Sequence, residues 1–131
     1  MIRSPVSPLN KAIYERLKSA MKVAVYDAVP VGKKAPFVVL TDTAAQSWNT
    51  KTLSGALVNA TIKVISEYQG DKEVAELADQ AISAIMHPKL LVSDNWQIVQ
   101  SAIDSHTVER YEIHREATII FKLTMIDIKE G

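Results

Sequence analysis

Apolar residues recur along this chain with two different periods, and the change from one to the other marks out the elements. Leu9, Ala12, Ile13, Leu17, Ala20 and Met21 fall at helical spacing, with Lys11, Glu15, Arg16, Lys18 and Lys22 on the other faces. This predicts a first helix over Pro8–Met21. Ser7 is placed to cap it, and Pro8 to open it, where a missing N–H leaves nothing unpaired. Val23–Asp27 is short and β-branched and predicts a first strand. Phe37–Thr41 predicts a second, and Pro30 and Pro36 punctuate the connection because proline cannot donate to a ladder. In Ala56–Tyr68 the apolar Val58, Ala60, Ile62 and Val64 alternate with Asn59, Thr61 and Lys63, the period of two of a half-buried antiparallel strand. Leu57 and Ile65 sit on the otherwise polar side, so cover is expected at both ends of that side. Gly70 breaks this strand and Asp71 is placed to cap the next element. Val74, Leu77, Ala78, Ala81, Ile82 and Ile85 then trace one face of a second helix over Lys72–Met86, ended by His87-Pro88. Acidic Asp71, Glu73 and Glu76 near its start suit the helix dipole. Trp96–Ile103 and the β-branched Glu116–Ile128 predict strands four and five, with polar Asp104–Arg115 between them as a hairpin with extended arms.

The order α-β-β-β-α-β-β, with strands that follow one another directly, predicts an α+β fold. It is a single domain over residues 1–131, an antiparallel sheet of about five strands with two helices packed on one face. Residues 1–7, with two prolines close together, are expected to form a flexible arm. The segment Thr43–Leu53 is expected to be a long polar loop, well beyond the usual two to five residues of a hairpin connection.

Composition removes several function classes. Hydrophobic residues make up 47% of the chain, enough for a folded core. Fifteen basic and fifteen acidic residues cancel, and no basic stripe of the kind that grips phosphates is present, so specific nucleic-acid binding is not expected. Without cysteine there are no disulfides, thiolate metal sites or thiol nucleophiles. No apolar run approaches the ~20 residues that span a bilayer. The start of the chain lacks the apolar stretch of a signal peptide, so the expected site of synthesis is the cytoplasm.

Candidate chemistry is sparse. Glu112, His114 and Glu116 share alternate positions near strand five, and Asp104 and His106 repeat the spacing nearby, a pattern able to hold a metal. Glu109, Arg110 and Arg115 lie in the same stretch, so a solvated, mixed-charge hairpin explains it without one, and no metal or cofactor is expected. No G-x-S-x-G elbow or phosphate loop is present. Gly32-Lys33-Lys34 has the look of a phosphate turn without its spacing; Lys33 and Lys34 are instead a solvated loop tip or a contact for an acidic partner. Trp48, with Lys51 close by, stands in polar sequence. It either anchors an interface, as buried aromatics do, or folds back to close its own sheet edge. Trp96 is expected in the core or over an edge. Strand five carries Ile119, Phe121, Leu123 and Met125 on one side and Ile120, Ile126 and Ile128 on the other. With both faces apolar, it points to self-association by sheet extension or face packing, with Phe121 and Met125 as candidate contacts.

The wording Val25-Tyr26-Asp27-Ala28-Val29-Pro30 followed by Ala35-Pro36-Phe37-Val38-Val39-Leu40, in this order of elements, resembles the small tail-terminator, or tail-completion, proteins of long-tailed bacteriophages, over roughly Leu9–Ile128. The resemblance implies a non-enzymatic assembly protein with no catalytic residue. It implies a homo-oligomeric ring, commonly a hexamer, that caps the tail tube in the virion and joins it to the head connector. Trp48, Lys51, Lys33, Lys34, Phe121 and Met125 are the expected contacts with neighbouring subunits or partners. The alternative is a small dimeric α+β ligand-binding or metal-dependent enzymatic domain, with its site on the Asp104/His106/Glu112/His114 hairpin.

Overall fold

A computed structural model describes residues 4–28, 32, 34–49 and 54–128. Helix α1 (Val6–Ala20) leads into strand β1 (Ala24–Tyr26), then β2 (Phe37–Asn49) and β3 (Ser54–Ser66). Helix α2 (Lys72–Met86) and the strands β4 (Trp96–Arg110) and β5 (Arg115–Asp127) complete the order α-β-β-β-α-β-β. One five-stranded sheet runs β1-β2-β3-β5-β4. The pairs β2–β3, β3–β5 and β5–β4 are antiparallel, whereas β1 joins β2 in parallel through Ala24↔Phe37 to Tyr26↔Val39. The connection after β1 therefore crosses over and does not fold back as a hairpin.

The alternation in the sequence decides which face is buried. Val58, Ala60, Ile62 and Val64 of β3 and Ala117, Ile119, Phe121 and Met125 of β5 are fully enclosed. They pack beneath Leu9, Ile13 and Leu17 of α1 and Val74, Ala78, Ala81 and Ile85 of α2 in one continuous core. Helix α1 lies over β1 and β2, and α2 over β3 and β5. The opposite face of the sheet carries no helix among the described residues.

Several boundaries differ from the sequence reading. Helix α1 begins at Val6, not Pro8: the Leu9 N–H already donates to the Pro5 carbonyl at 2.9 Å, and the Ser4 hydroxyl accepts the Val6 N–H at 3.2 Å. Residues 4–7 are thus part of the fold, and residues 1–3 of the expected arm lie outside the described residues. Strand β2 continues through Thr43–Asn49, so most of the expected loop is strand; Thr50–Leu53 lie outside the described residues. The bulge between Leu40 and Asp42 is what breaks the apolar pattern there. It shifts the side-chain alternation by one residue, and the small polar side chains beyond it carry no periodic signal. Strand β4 runs on to Arg110, as the extended hairpin arms required. Asp94 and Asn95 both take positive φ, 62° and 63°, in the tight turn that delivers Trp96 into β4, a conformation Asn and Asp tolerate.

Two polar ties fix the helices. Arg16 of α1 donates from Nη1 to the carbonyls of Ala84 (2.9 Å) and Pro88 (2.6 Å) and from Nη2 to that of Lys89 (3.4 Å). It thereby supplies a partner to one of the last carbonyls of α2, that of Ala84, and ties down the connection that follows the helix. Ser66, fully buried at the end of β3, donates to Glu73 of α2 at 2.6 Å.

Candidate assembly interface

The sheet ends in two long bare edges. Strand β1 covers β2 only at Phe37–Val39, and from Leu40 to Asn49 no strand lies on the outer side of β2 among the described residues. At the other end all of β4 is an edge among the described residues. Two register shifts leave Val99 and Asp104 as bulged residues, devices that twist an edge and interrupt its ladder. Val99 and Ile103 of this strand are 46% and 40% exposed, so the β4 edge is partly apolar. Three antiparallel pairings separate β2 from β4, so these two edge strands run in opposite directions.

The tip of the β4–β5 hairpin is locked to the start of α2. Asp71 accepts from Arg110 Nε and Nη2 and, at 3.3 Å, from Arg115 Nε. These contacts, the Arg110 hydrogen bond first, hold the Asp71 carboxyl below its ordinary range. Asp71 is the first residue before α2, but its side chain makes no cap with the helix backbone; the two arginines have taken it. The turn itself closes with the Tyr111 N–H on the His114 carbonyl at 2.8 Å and the two rings stacked 4.5 Å apart. It exposes Ile113 to 76%. The Tyr111 hydroxyl donates to Glu109, which pushes its own proton affinity up.

The candidate residues separate under this geometry. Trp48 is half-buried on the helix-free face of β2, directly opposite Gly55 of β3, and its indole lies over that glycine. The Trp48 ring thus folds back on its own hairpin and also borders the bare edge. Lys34 is exposed just before β2, and Lys33 and Lys51 lie outside the described residues. Phe121 and Met125 are corrected: both are fully buried under the helices and have no surface left for a neighbour. The expectation failed because β5 is an inner strand, flanked by β3 and β4, and its second apolar side is the half-exposed row Ile120 and Ile126. Trp96 is core, 5% exposed. Glu112 and His114 sit in the turn and not on a strand, and among the described residues no three His, Asp or Glu side chains converge as metal ligands. Among the same residues no helix is long and apolar enough to cross a membrane. The Asp71–Arg110–Arg115 clamp escaped the sequence reading, since its partners stand 39 and 44 residues apart and each looked like surface charge.

The family model described as tail completion protein gp17 matches residues 11–118. The chain belongs to that family. Tail completion proteins are structural parts of the virion tail that act in its assembly and are not enzymes. The fold agrees with solved members of phage-like particles. A chain from the virion of a native gene transfer agent particle matches with TM-score 0.81 and 24% identity, over 95% of this chain and 99% of that one. The gp17 protein of bacteriophage SPP1 matches with TM-score 0.60 and 17% identity, over 94% and 91%. Among curated proteins, none matches the sequence.

Proposed function

We propose that this tail completion protein closes the head-proximal end of the tail tube as a ring of identical subunits, six by family resemblance, and that the ring carries the surface on which the head connector docks. The observation that supports the ring is the pair of unpaired edges on opposite sides of one sheet. Each edge alone is a liability, because its free N–H and C=O groups invite pairing. Two different edges in one molecule satisfy each other head to tail, and such heterologous contacts close into rings when the rotation between subunits allows it. A rotation about an axis along the strands sets β2 of one copy antiparallel to β4 of the next, which continues the alternation within the sheet. The half-exposed Val99 and Ile103 and the border residue Trp48 supply apolar area at the join.

Native mass spectrometry and sedimentation of the purified protein, alone and with purified tail tubes, test this reading. A discrete closed oligomer, seen as a ring by electron microscopy and seated on one end of the tubes, is expected. A protein that stays monomeric in both settings overturns it. Joining is tested by adding the protein to tails and heads that lack it: the loss of joined particles should be made good by wild type.

A further inference from the structure

Strand β1 stops at the level of Val39, where Tyr26 is its last paired residue. Just beyond that level an open hollow of about 430 Å³ lies between β2 and helix α1, lined by Leu40, Thr41 and Thr43 of the strand and by Asn10 and Tyr14 of the helix. Leu40 is buried and Tyr14 packs against the core, so part of the wall is apolar. The Thr43 hydroxyl already donates to Asn10 Oδ1 at 2.5 Å, and that part of the wall needs no polar group from outside.

The other edge offers a side chain for this hollow. Ile103 stands on the helix side of β4, directly opposite the buried Phe121. It is nonetheless 40% exposed, because the helices lie over the other four strands. The register sets knob and hollow at one level: Thr43 pairs with Ala60, Ala60 with Phe121, and Phe121 with Ile103. Trp48 reaches Gln97 in the same way, through Gly55 and Ile126. The run Thr43–Trp48, bare on its outer side among the described residues, thus matches Gln97–Ile103 in level, and the extra residue of β4 is the Val99 bulge.

We propose that Ile103 of one copy is the knob that fills the Tyr14–Leu40–Thr43 hollow of the next copy, and that it fixes the register of β4 against β2. The proposal rests on the ring reading and adds where the two strands meet. A rotation about an axis along the strands, without a shift along it, brings Ile103 beside Thr43 on the helix side of the joined sheet. A slip of one residue turns Ile103 to the helix-free face and leaves the hollow unfilled. The Asp104 bulge follows Ile103 at once. Bulges bend a strand, and a bend here carries the rest of β4 past β1, which occupies the outer side of β2 at Phe37–Val39. A two-fold β4–β4 contact leaves both hollows unfilled, so knob and hollow favour the head-to-tail contact that closes rings.

The chain has no cysteine, so an engineered pair reports the contact directly. Opposed residues of an antiparallel pair lie about 4.5–5.5 Å apart at Cα, within reach of a disulfide. Thr43→Cys with Ile103→Cys should, on mild oxidation of the assembled protein, alone or on tail tubes, give a covalent ladder that ends at the size of the ring. Ser47→Cys with Ile103→Cys, further along β2 on the same side, should give little. Ile103→Asp should keep its far-UV circular dichroism and weaken subunit association by roughly tenfold or more, read by native mass spectrometry. Rings in which the Thr43 pair does not cross-link, efficient dimers from Ile103→Cys alone, or wild-type association in Ile103→Asp overturn the knob and leave the ring reading in place. A wild type that assembles in neither setting brings down both.

Discussion

Trp48 lies across Gly55, its directly opposed partner in the β2–β3 hairpin. A Cβ on Gly55 would stand 2.6 Å from Cε3 of the indole and 2.6 Å from the Met125 carbonyl oxygen on the next strand. The second of these atoms is backbone and cannot swing away. Gly55→Ala should therefore displace the indole and strain the sheet, at about 1–3 kcal/mol. Urea midpoints, with Trp48 emission followed in a Trp96→Phe background, check this. An unchanged midpoint and emission would show that the close approach is relieved without strain.

Trp48→Ala removes a half-buried ring from the helix-free face and leaves the core beneath α1 and α2 intact. Circular dichroism and the thermal melt should stay close to wild type, while the oligomer seen in sedimentation and the joining activity decline. A collapsed melt would assign the ring to the domain's own stability and withdraw it from the subunit contact.

Helix α2 sorts its apolar residues by depth. Leu77 and Ile85 are buried, at 8% and 2% exposure, whereas Ile82 lies at the margin of the face and is only partly buried. Leu77→Ala and Ile85→Ala should each cost about 2–5 kcal/mol, and Ile82→Ala clearly less. Denaturant unfolding of the three variants ranks them. Equal losses would mean that the face is rotated relative to the one described.

Arg16 serves one carbonyl in the last turn of α2 and two in the connection just after it. Arg16→Ala should cost about 1–3 kcal/mol, since hydrogen bonds from a charged donor are among the stronger ones. Lysine should not rescue it, because a single ammonium does not reproduce the planar fork. Full recovery of the melting temperature by Arg16→Lys would argue against the fork.

The Asp71 clamp makes stability depend on acid. Its carboxyl is held below the ordinary value of 3.8, chiefly by the Arg110 hydrogen bond. A depressed folded pKa means that the unfolded chain takes up the proton first as pH falls. The contribution is thus complete at neutral pH and is lost as pH drops through about 4 toward the lower folded value. The stability difference between wild type and Asp71→Asn should be constant down to about pH 5 and shrink below that. Acid titration of both proteins measures it, and a difference that persists unchanged to the lowest pH would mean the ionised carboxylate is not what the two arginines hold.

Much of this architecture is legible in the sequence because it arises from local periodicity. The i, i+3, i+4 series from Val74 to Ile85 sets α2 at Lys72–Met86 without help from elsewhere, and the alternation Val58, Ala60, Ile62, Val64 names the buried face of β3. Both signals are repeated burial choices made every turn or every second residue, so they survive in one dimension. What the tertiary structure decided depends on neighbours. Phe121 and Met125 carry the same apolar signature whether their strand is an edge or a centre, and only the order β3-β5-β4 encloses them. The run Thr43–Asn49 has no apolar pattern because most of it is exposed; its strand form comes from the ladder to Ala60–Ser54. Asp71 is a helix cap by every local rule, yet two arginines far along the chain reach it first. Sequence thus settled what each segment buries, because burial is a property of the segment. Which edges stay bare and which charges meet were left to the packing, because those are properties of pairs.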